Sequence, residues 1–376
     1  SKFHVKYVIV SSDAENGYNF SESTSLSEAL IVARRVDEHG PNEVTRFVVL
    51  MKKPKTAIEA MTLADKLLSG DELAYHGALV RSVSRGTLLN TIINWNFHTI
   101  PDNYLVDLVE GVVNNGIISL CDTSIEIPVT YFGNLIGDMG VNRGGDIIEA
   151  FNLPKKGSRV DCGSLPKSPL SGSVPMLCGG EEESRRSMLV SPNAWVTGRG
   201  PKAERIVRLR SRLLVPDRIR WNTWRTIAVY SDEPLIANRF FMVKLRDGDE
   251  KMEKALVAWL NTTFGLLTVL ANREETEGAF TRLNIGQWKA MPVLDVSKLG
   301  RERLDALAKV FDNYAKKEFK RIPEQYGEKA DQVRLNFDLD VLRALSPAIN
   351  EDKARLCITN IYRKLDIALK TWTGHR

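Results

Sequence analysis

The chain has 376 residues, a formal net charge of +5, 43% hydrophobic residues and 26% charged residues. This is the balance of an ordinary soluble globular protein, with a length suited to two domains. No apolar run approaches the roughly 18 residues that span a bilayer, and no signal-peptide pattern opens the chain, so a cytoplasmic protein without a membrane partner is expected.

The opening residues, SKFHVKYVIV, run straight into a strand, His4 to Val10, as expected for a fragment of something longer. Two further apolar β runs follow, within Leu26 to Arg35 and Thr45 to Met51, with turn chemistry at Asn16-Gly17 and Gly40-Pro41. Three strands with short connections predict an antiparallel sheet edge. Thr56 to Leu68 reads as a helix with Ile58, Met61, Leu63, Ala64 and Leu67 on one stripe, and Thr56 and Glu59 stand at capping-box spacing.

Beyond Gly70 the pattern is irregular. Asn103 to Asn114 predicts a helix facing inward with Leu105, Leu108, Val109 and Val112, and Ile117 to Tyr131 is strand-like. Gly133 to Phe151 reads as loop-rich, and Pro154 to Pro175, heavy in Pro, Gly and Ser, as a long surface loop. Short strands are expected at Leu213 to Val215, Thr226 to Tyr230 and Arg239 to Val243, then one helix over Glu250 to Leu270. From Val296 the character becomes helical: Leu304, Leu307, Phe311 and Tyr314 space one amphipathic helix, and Ile358, Ile361, Leu365 and Leu369 another.

The segment Gly198 to Arg225 carries nine Lys and Arg residues against Glu204 and Asp217 alone. Nearly all are arginine, whose planar fork suits phosphates and guanine edges. If Arg208, Arg210 and Arg212 alternate in a strand, they share one face and suit a row of phosphates; a solvated face with ion pairs is the alternative. Arg218 and Arg220 stand beside Trp221, Asn222 and Trp224, a mixture suited to base reading or stacking, although tryptophans are more often core. Asn238, Arg239, Arg273, Thr276 and Arg282 complete the candidate DNA-contacting set. Glu274, Glu275 and Glu277 accompany the last three and read chiefly as ion-pair partners. Trp259 and Trp288 are assigned to the core.

Other chemistry is absent or weak. There is no phosphate-binding loop, no dinucleotide fingerprint and no nucleophile elbow. Asp312, Glu318 and Lys320 have a loosely nuclease-like spacing that reads better as a charged helix face. The four cysteines are scattered without a C-x-x-C pair, so reduced thiols are expected instead of a zinc site or disulfide framework, and the five dispersed histidines predict no metal site.

Several stretches, in order, carry a resemblance. Phe20-Ser21, Thr24, Leu26, Glu28 and Ile31 to Arg34 follow the opening strand. Pro175 to Leu189, Arg212 to Val229, Ala255 to Leu267 and Asn272 to Asp295 come later. Together they resemble the end of the catalytic sheet and the target-recognition region of N6-adenine DNA methyltransferases of restriction–modification systems. That family uses a glycine-rich loop for S-adenosylmethionine and an Asn/Asp-Pro-Pro-Tyr/Phe motif for the flipped adenine. This sequence has no Pro-Pro dipeptide, so the adenine motif is missing.

The resemblance therefore implies a C-terminal, non-catalytic piece that holds no cofactor itself, S-adenosylmethionine belonging to the parent enzyme. Residues 1–70 would be terminal strands and a helix of the catalytic domain, 71–295 the recognition domain and 296–376 a helical tail. The expected fold is α/β of mixed α+β style, a β-rich recognition core with peripheral helices. The expected partners are double-stranded DNA and other subunits or domains of a restriction–modification complex. A protein-interaction module docking a specificity or motor subunit through the helical tail is the alternative, and a nuclease is a third.

Overall fold

A computed structural model describes residues 2–13, 20, 28–69, 77–90, 95–140, 144–157, 159–179, 186–273 and 280–373. It is mixed α and β, as expected. The N-terminal strands are β1 (Phe3–Ser11), β2 (Ala29–Arg35) and β3 (Val44–Leu50), followed by helix α1 (Ala57–Ser69), β4 (Ala78–Ser84) and α2 (Arg85–Asn90). They build one four-stranded sheet in the order β2-β1-β3-β4. β1 runs antiparallel to β2 but parallel to β3, so the sheet is mixed and corrects the antiparallel expectation. Alternation identifies strands, whereas neighbours are set by the chain returning across β1.

One face of this sheet buries Val8, Phe47, Val83 and Leu88; the other buries Val48, Leu50, Ala78 and Val80 under Leu67 of α1. The α1 start is capped as the spacing predicted, with Glu59 N donating to Thr56 Oγ1 at 3.2 Å. Of the predicted stripe, however, only Leu67 is buried; Ile58 and Met61 remain 78% and 67% exposed.

The middle of the chain begins with a 3₁₀ turn (Trp95–Thr99) and α3 (Asn103–Asn115). Asp102 caps α3 by accepting from Leu105 N, and Gly116, at φ +65°, ends it in a left-handed conformation favoured by glycine. The hairpin β5 (Ile117–Leu120) and β6 (Thr123–Glu126) follows, then β7 (Val129–Tyr131). The stretch expected as loop is instead α4 (Phe132–Leu135), β8 (Ile136–Gly140) and α5 (Gly144–Phe151). Its glycines obscured the pattern, but β8 gains its hydrogen bonds from the strand Phe240–Leu245, a hundred residues onward.

The Pro/Gly/Ser stretch is largely irregular apart from a small hairpin, β9 (Lys155–Lys156) and β10 (Arg159–Val160), before β11 (Val174–Leu177) and β12 (Ala194–Val196). Next come α6 (Pro201–Arg208), β13 (Ser211–Pro216), β14 (Arg218–Arg220), β15 (Val229–Ala237) and β16 (Phe240–Leu245). The central sheet has the order β12-β11-β15-β13-β16-β8. Its strands alternate between two cores, as the two-residue period requires. Leu213, Val215, Phe241 and Val243 face the larger one, and Leu214, Phe240 and Met242 face the smaller, which α5 and α6 cover with Ile147, Phe151 and Ile206.

The helix expected over Glu250 to Leu270 is two, α7 (Glu250–Leu260) and α8 (Thr263–Ala271), bent by 72°. Asn261 turns its side chain away to accept from Ile227 N and donate to Ala228 O, both at 2.7 Å, while Thr262 caps α8. Gly265 makes the bend possible, because a Cβ there would meet Trp259 O at 2.3 Å. Trp259 and Trp288 are both in the core.

The remaining elements are β17 (Phe280–Arg282), α9 (Ile285–Ala290), β18 (Pro292–Leu294), α10 (Arg301–Tyr314), α11 (Gln332–Leu345) and α12 (Glu351–Thr373). α10 and α12 bury the predicted positions Leu307, Phe311, Tyr314, Ile358, Ile361, Leu365 and Leu369, and they share the larger core with α3, α7 and α8. α11 was not anticipated. Its Arg334 and Asp338 are buried: Arg334 donates to Gln325 Oε1 at 2.7 Å and to Asn261 O, and Asp338 accepts from Thr263 and from Tyr362 OH. Among the described residues no single helix is long and apolar enough to cross a membrane.

The cysteine expectation is corrected. Cys121 is bonded to Cys357 and Cys162 to Cys178, with Cα separations of 6.0 and 5.7 Å. The first pair lies 236 residues apart in sequence and meets only when α12 packs beside the β5–β6 turn.

Candidate nucleic-acid interface

Strand β13 carries a group of cations at each end, and the two groups differ in how they are neutralised. At its start, Arg208, Arg210 and Arg212 do not alternate along a strand. Pro201 at the first turn and the buried pair Ala203 and Ile206 make Pro201–Arg208 a helix, so Arg208 ends α6 and Arg212 alone lies on β13. Arg208 approaches Glu204 at 4.0 Å, Arg210 Nε donates to Val207 O, and Arg212 donates to Tyr230 OH and Glu250, both at 3.2 Å. These arginines line an open cleft of about 480 Å³ with Lys244, Asp249, Glu250 and Glu253. Burial pushes the Glu253 carboxyl up to about 7, opposed by Arg212 and reinforced by Glu250 and Asp249. This group is compensated within the fold.

At the far end of β13 the chain passes Asp217 and leaves the central sheet as β14, which pairs with β17. The register sets Arg218 opposite Arg282 and Arg220 opposite Phe280. Arg239, half-buried between β15 and β16, joins them. Its guanidinium is held below the usual arginine range by burial and by Arg218, Arg159 and Arg220, opposed by Asp217. Asp217 is itself engaged by Arg218, at 3.2 Å. Arg218 is therefore paired within the fold, while Arg220 and Arg282 are exposed.

The other predicted residues are placed differently. Trp224 is buried and stacks on Phe240 at 6.4 Å, and Trp221 donates from Nε1 to Thr281 Oγ1 at 2.8 Å. Trp224 therefore anchors β14 to the core and offers no face to a base, which corrects its inclusion. Asn222 is half-buried in the turn after β14. Asn238 is buried and accepts from Gly179 N at 2.7 Å, a fastening between β11 and β15. Arg273 is 5% exposed and donates to Leu270 O, which also places it inside. Thr276, with Glu274, Glu275 and Glu277, lies outside the described residues.

Four predicted arginines are thus brought together: Arg218, Arg220, Arg239 and Arg282. Arg159 was missed. Its signal was the basic run Lys155, Lys156 and Arg159 within a stretch otherwise read as loop. The nuclease-like trio is dispersed: Asp312 pairs with Lys254 at 2.8 Å, Glu318 with Arg186 at 3.7 Å, and Lys320 donates its backbone N–H to Asp331. Among the described residues no group of three His, Cys, Asp or Glu side chains could hold a metal ion.

No family model and no curated protein matches the chain. Among the solved structures similar to it are the following two. The type IIG restriction endonuclease BpuSI matches with a TM-score of 0.45 at 10% identity, over 100% of this chain and 44% of that one. The HsdS subunit from Thermoanaerobacter tengcongensis matches with a TM-score of 0.29 at 11% identity, over 73% of this chain and 52% of that one. The chain thus spans about half the length of either protein or less.

Proposed function

We propose that this chain is the DNA-binding, target-recognition region of an adenine-N6 DNA methyltransferase from a restriction–modification system. In this reading it grips the duplex through Arg218, Arg220, Arg239 and Arg282. The observation that carries it is the meeting of Arg218, Arg220 and Arg282 on β14 and β17 beside half-buried Arg239, whose charge Arg218 and Arg220 disfavour by repulsion. Backbone phosphates would relieve that repulsion, and the guanidinium forks suit bidentate contact with them or with guanine edges. The methyltransferase part rests on the ordered sequence resemblance.

S-adenosylmethionine belongs in this reading to the parent enzyme, because the residues here do not fit it. The sequence lacks the adenine motif and the glycine-rich loop. At the carboxyl end of β1, the edge where α/β sheets hold ligands, the buried Asp13 carboxylate accepts from Lys53 N at 2.8 Å. The chain's own work would be to position DNA for a domain that flips and methylates the base.

The test is binding to random and genomic duplex fragments across a salt series, for the parent chain and for Arg218→Ala and Arg220→Ala. Expected are affinity that falls with salt, enrichment of one short motif and weaker binding by both variants. Each lost phosphate contact lowers the slope of log K against log salt by about 0.9. An absence of binding at low salt overturns the reading. A protein partner is the second reading, favoured by the exposed strand β2, where Leu30 and Ile31 are 51% and 59% accessible. Salt-insensitive association with another subunit would support it.

A further inference from the structure

We propose that the hairpin β9–β10 is a second DNA-contacting element, held in place by the Cys162–Cys178 disulfide, so that duplex affinity depends on the redox state of that bond. This rests on the DNA-binding reading above. Three cations project from six residues: Lys155, Lys156 and Arg159 are all exposed. Gly157, at φ +64°, supplies the left-handed turn, and Asp161 N closes the hairpin by donating to Pro154 O at 2.8 Å.

The base of this hairpin is fixed beside Arg239. Val160 enters the smaller core with Leu177 and Phe240, and Cys162 follows two residues later. Its partner Cys178 directly follows β11, which pairs with β15 through Met176↔Ile236 and Leu177↔Ala237. The next residue, Gly179, donates to the side chain of Asn238, the immediate neighbour of Arg239. The disulfide therefore ties the Arg159 strand to the segment that carries Arg239. Arg159 and Arg239 repel one another. The covalent tie holds the Arg159 strand there, and Lys167 assists by donating to Cys162 O at 2.7 Å.

A dithiol reduces this bond in two exchange steps. A thiolate of the reductant attacks the half-buried Cys162 sulfur, the S–S bond breaks, and Cys178 leaves as thiolate and takes a proton. The second thiol of the reductant then displaces Cys162 from the mixed disulfide. Two electrons and two protons pass to the protein, and the dithiol departs as its own disulfide.

The experiment measures duplex binding by the full chain across a salt series. The variants are Lys155→Ala/Lys156→Ala/Arg159→Ala, Cys162→Ser and, as a control for the other disulfide, Cys121→Ser/Cys357→Ser. Each is measured with and without dithiothreitol, and thermal melting verifies folding. The triple variant is expected to lower the salt slope by about 2.7, three contacts at about 0.9 each. Cys162→Ser is expected to weaken binding several-fold and to make the triple substitution less costly when combined. Dithiothreitol is expected to weaken the parent and the Cys121→Ser/Cys357→Ser control but not Cys162→Ser.

If Arg218→Ala weakens binding while the hairpin variant binds like the parent, this inference fails and the proposed function stands. Hairpin dependence without any response to Cys162→Ser or dithiothreitol overturns the positioning role of the disulfide. A parent chain that binds no duplex overturns both readings.

Discussion

His98 is expected to remain neutral throughout the range in which an ordinary histidine titrates. Its ring lies between Phe47 and Phe97, with centroids 4.7 and 3.7 Å away, and neither ring nitrogen has a hydrogen-bond partner. It is 1% exposed and sits where the N-terminal sheet meets the 3₁₀ turn before α3. Burial, reinforced by Arg81, lowers its pKa from 6.5 to about 3. A depressed histidine pKa means that the unfolded chain takes up the proton first. The stability is therefore present above pH 6.5 and is lost as pH falls toward 3. Between pH 7 and pH 5 the loss from this one group is about 2 kcal/mol.

The substitution His98→Met keeps a similar volume without a titrating group. Denaturant unfolding of both proteins at pH 7 and pH 5 should show the parent losing about 2 kcal/mol more than the variant over that interval. In the intact parent, the His98 Cε1–H resonance, identified by its absence from the variant, should not shift between pH 5 and 8. A resonance titrating near 6.5, or equal pH dependence in the two proteins, would refute the reasoning.

Three further outcomes are expected. Arg334→Met leaves Asp338 buried without its cation and should cost about 3–5 kcal/mol, seen as a large fall in Tm; an unchanged Tm would show that the network is dispensable. Glu253 has a raised carboxyl pKa, so the folded protein retains a proton that the unfolded chain releases, and stability falls as pH rises from 4.5 toward about 7. Glu253→Gln should remove that decline and be more stable at pH 8, by at most about 3 kcal/mol; parallel pH profiles would sink this account. Arg212→Ala should leave the salt slope of DNA binding unchanged because Tyr230 and Glu250 already hold its guanidinium, whereas Arg220→Ala, at an exposed position, should lower it by about 0.9. Equal effects would show that local neutralisation does not separate the two groups.

Local patterns were legible in the sequence where a single element carried its own signal. The α3 stripe, the Thr56 cap, the burial of Trp259 and Trp288, and the spacing on α10 and α12 each depend on neighbours within a few turns. The concentration of arginine between Gly198 and Arg225 was equally visible, because charge is a property of composition. The parallel pairing of β1 with β3, the break between α7 and α8 and the joining of Cys121 to Cys357 each needed a partner distant in sequence. So did the sorting of the arginines. Arg208, Arg210 and Arg212 belong to one chain segment with Arg218 and Arg220, yet β13 separates them into two groups at its opposite ends. Arg159, Arg239 and Arg282 reach the second group from three other segments. Charge could be counted along the chain, but whether a carboxylate or another guanidinium lies opposite each arginine was decided by strand register and packing.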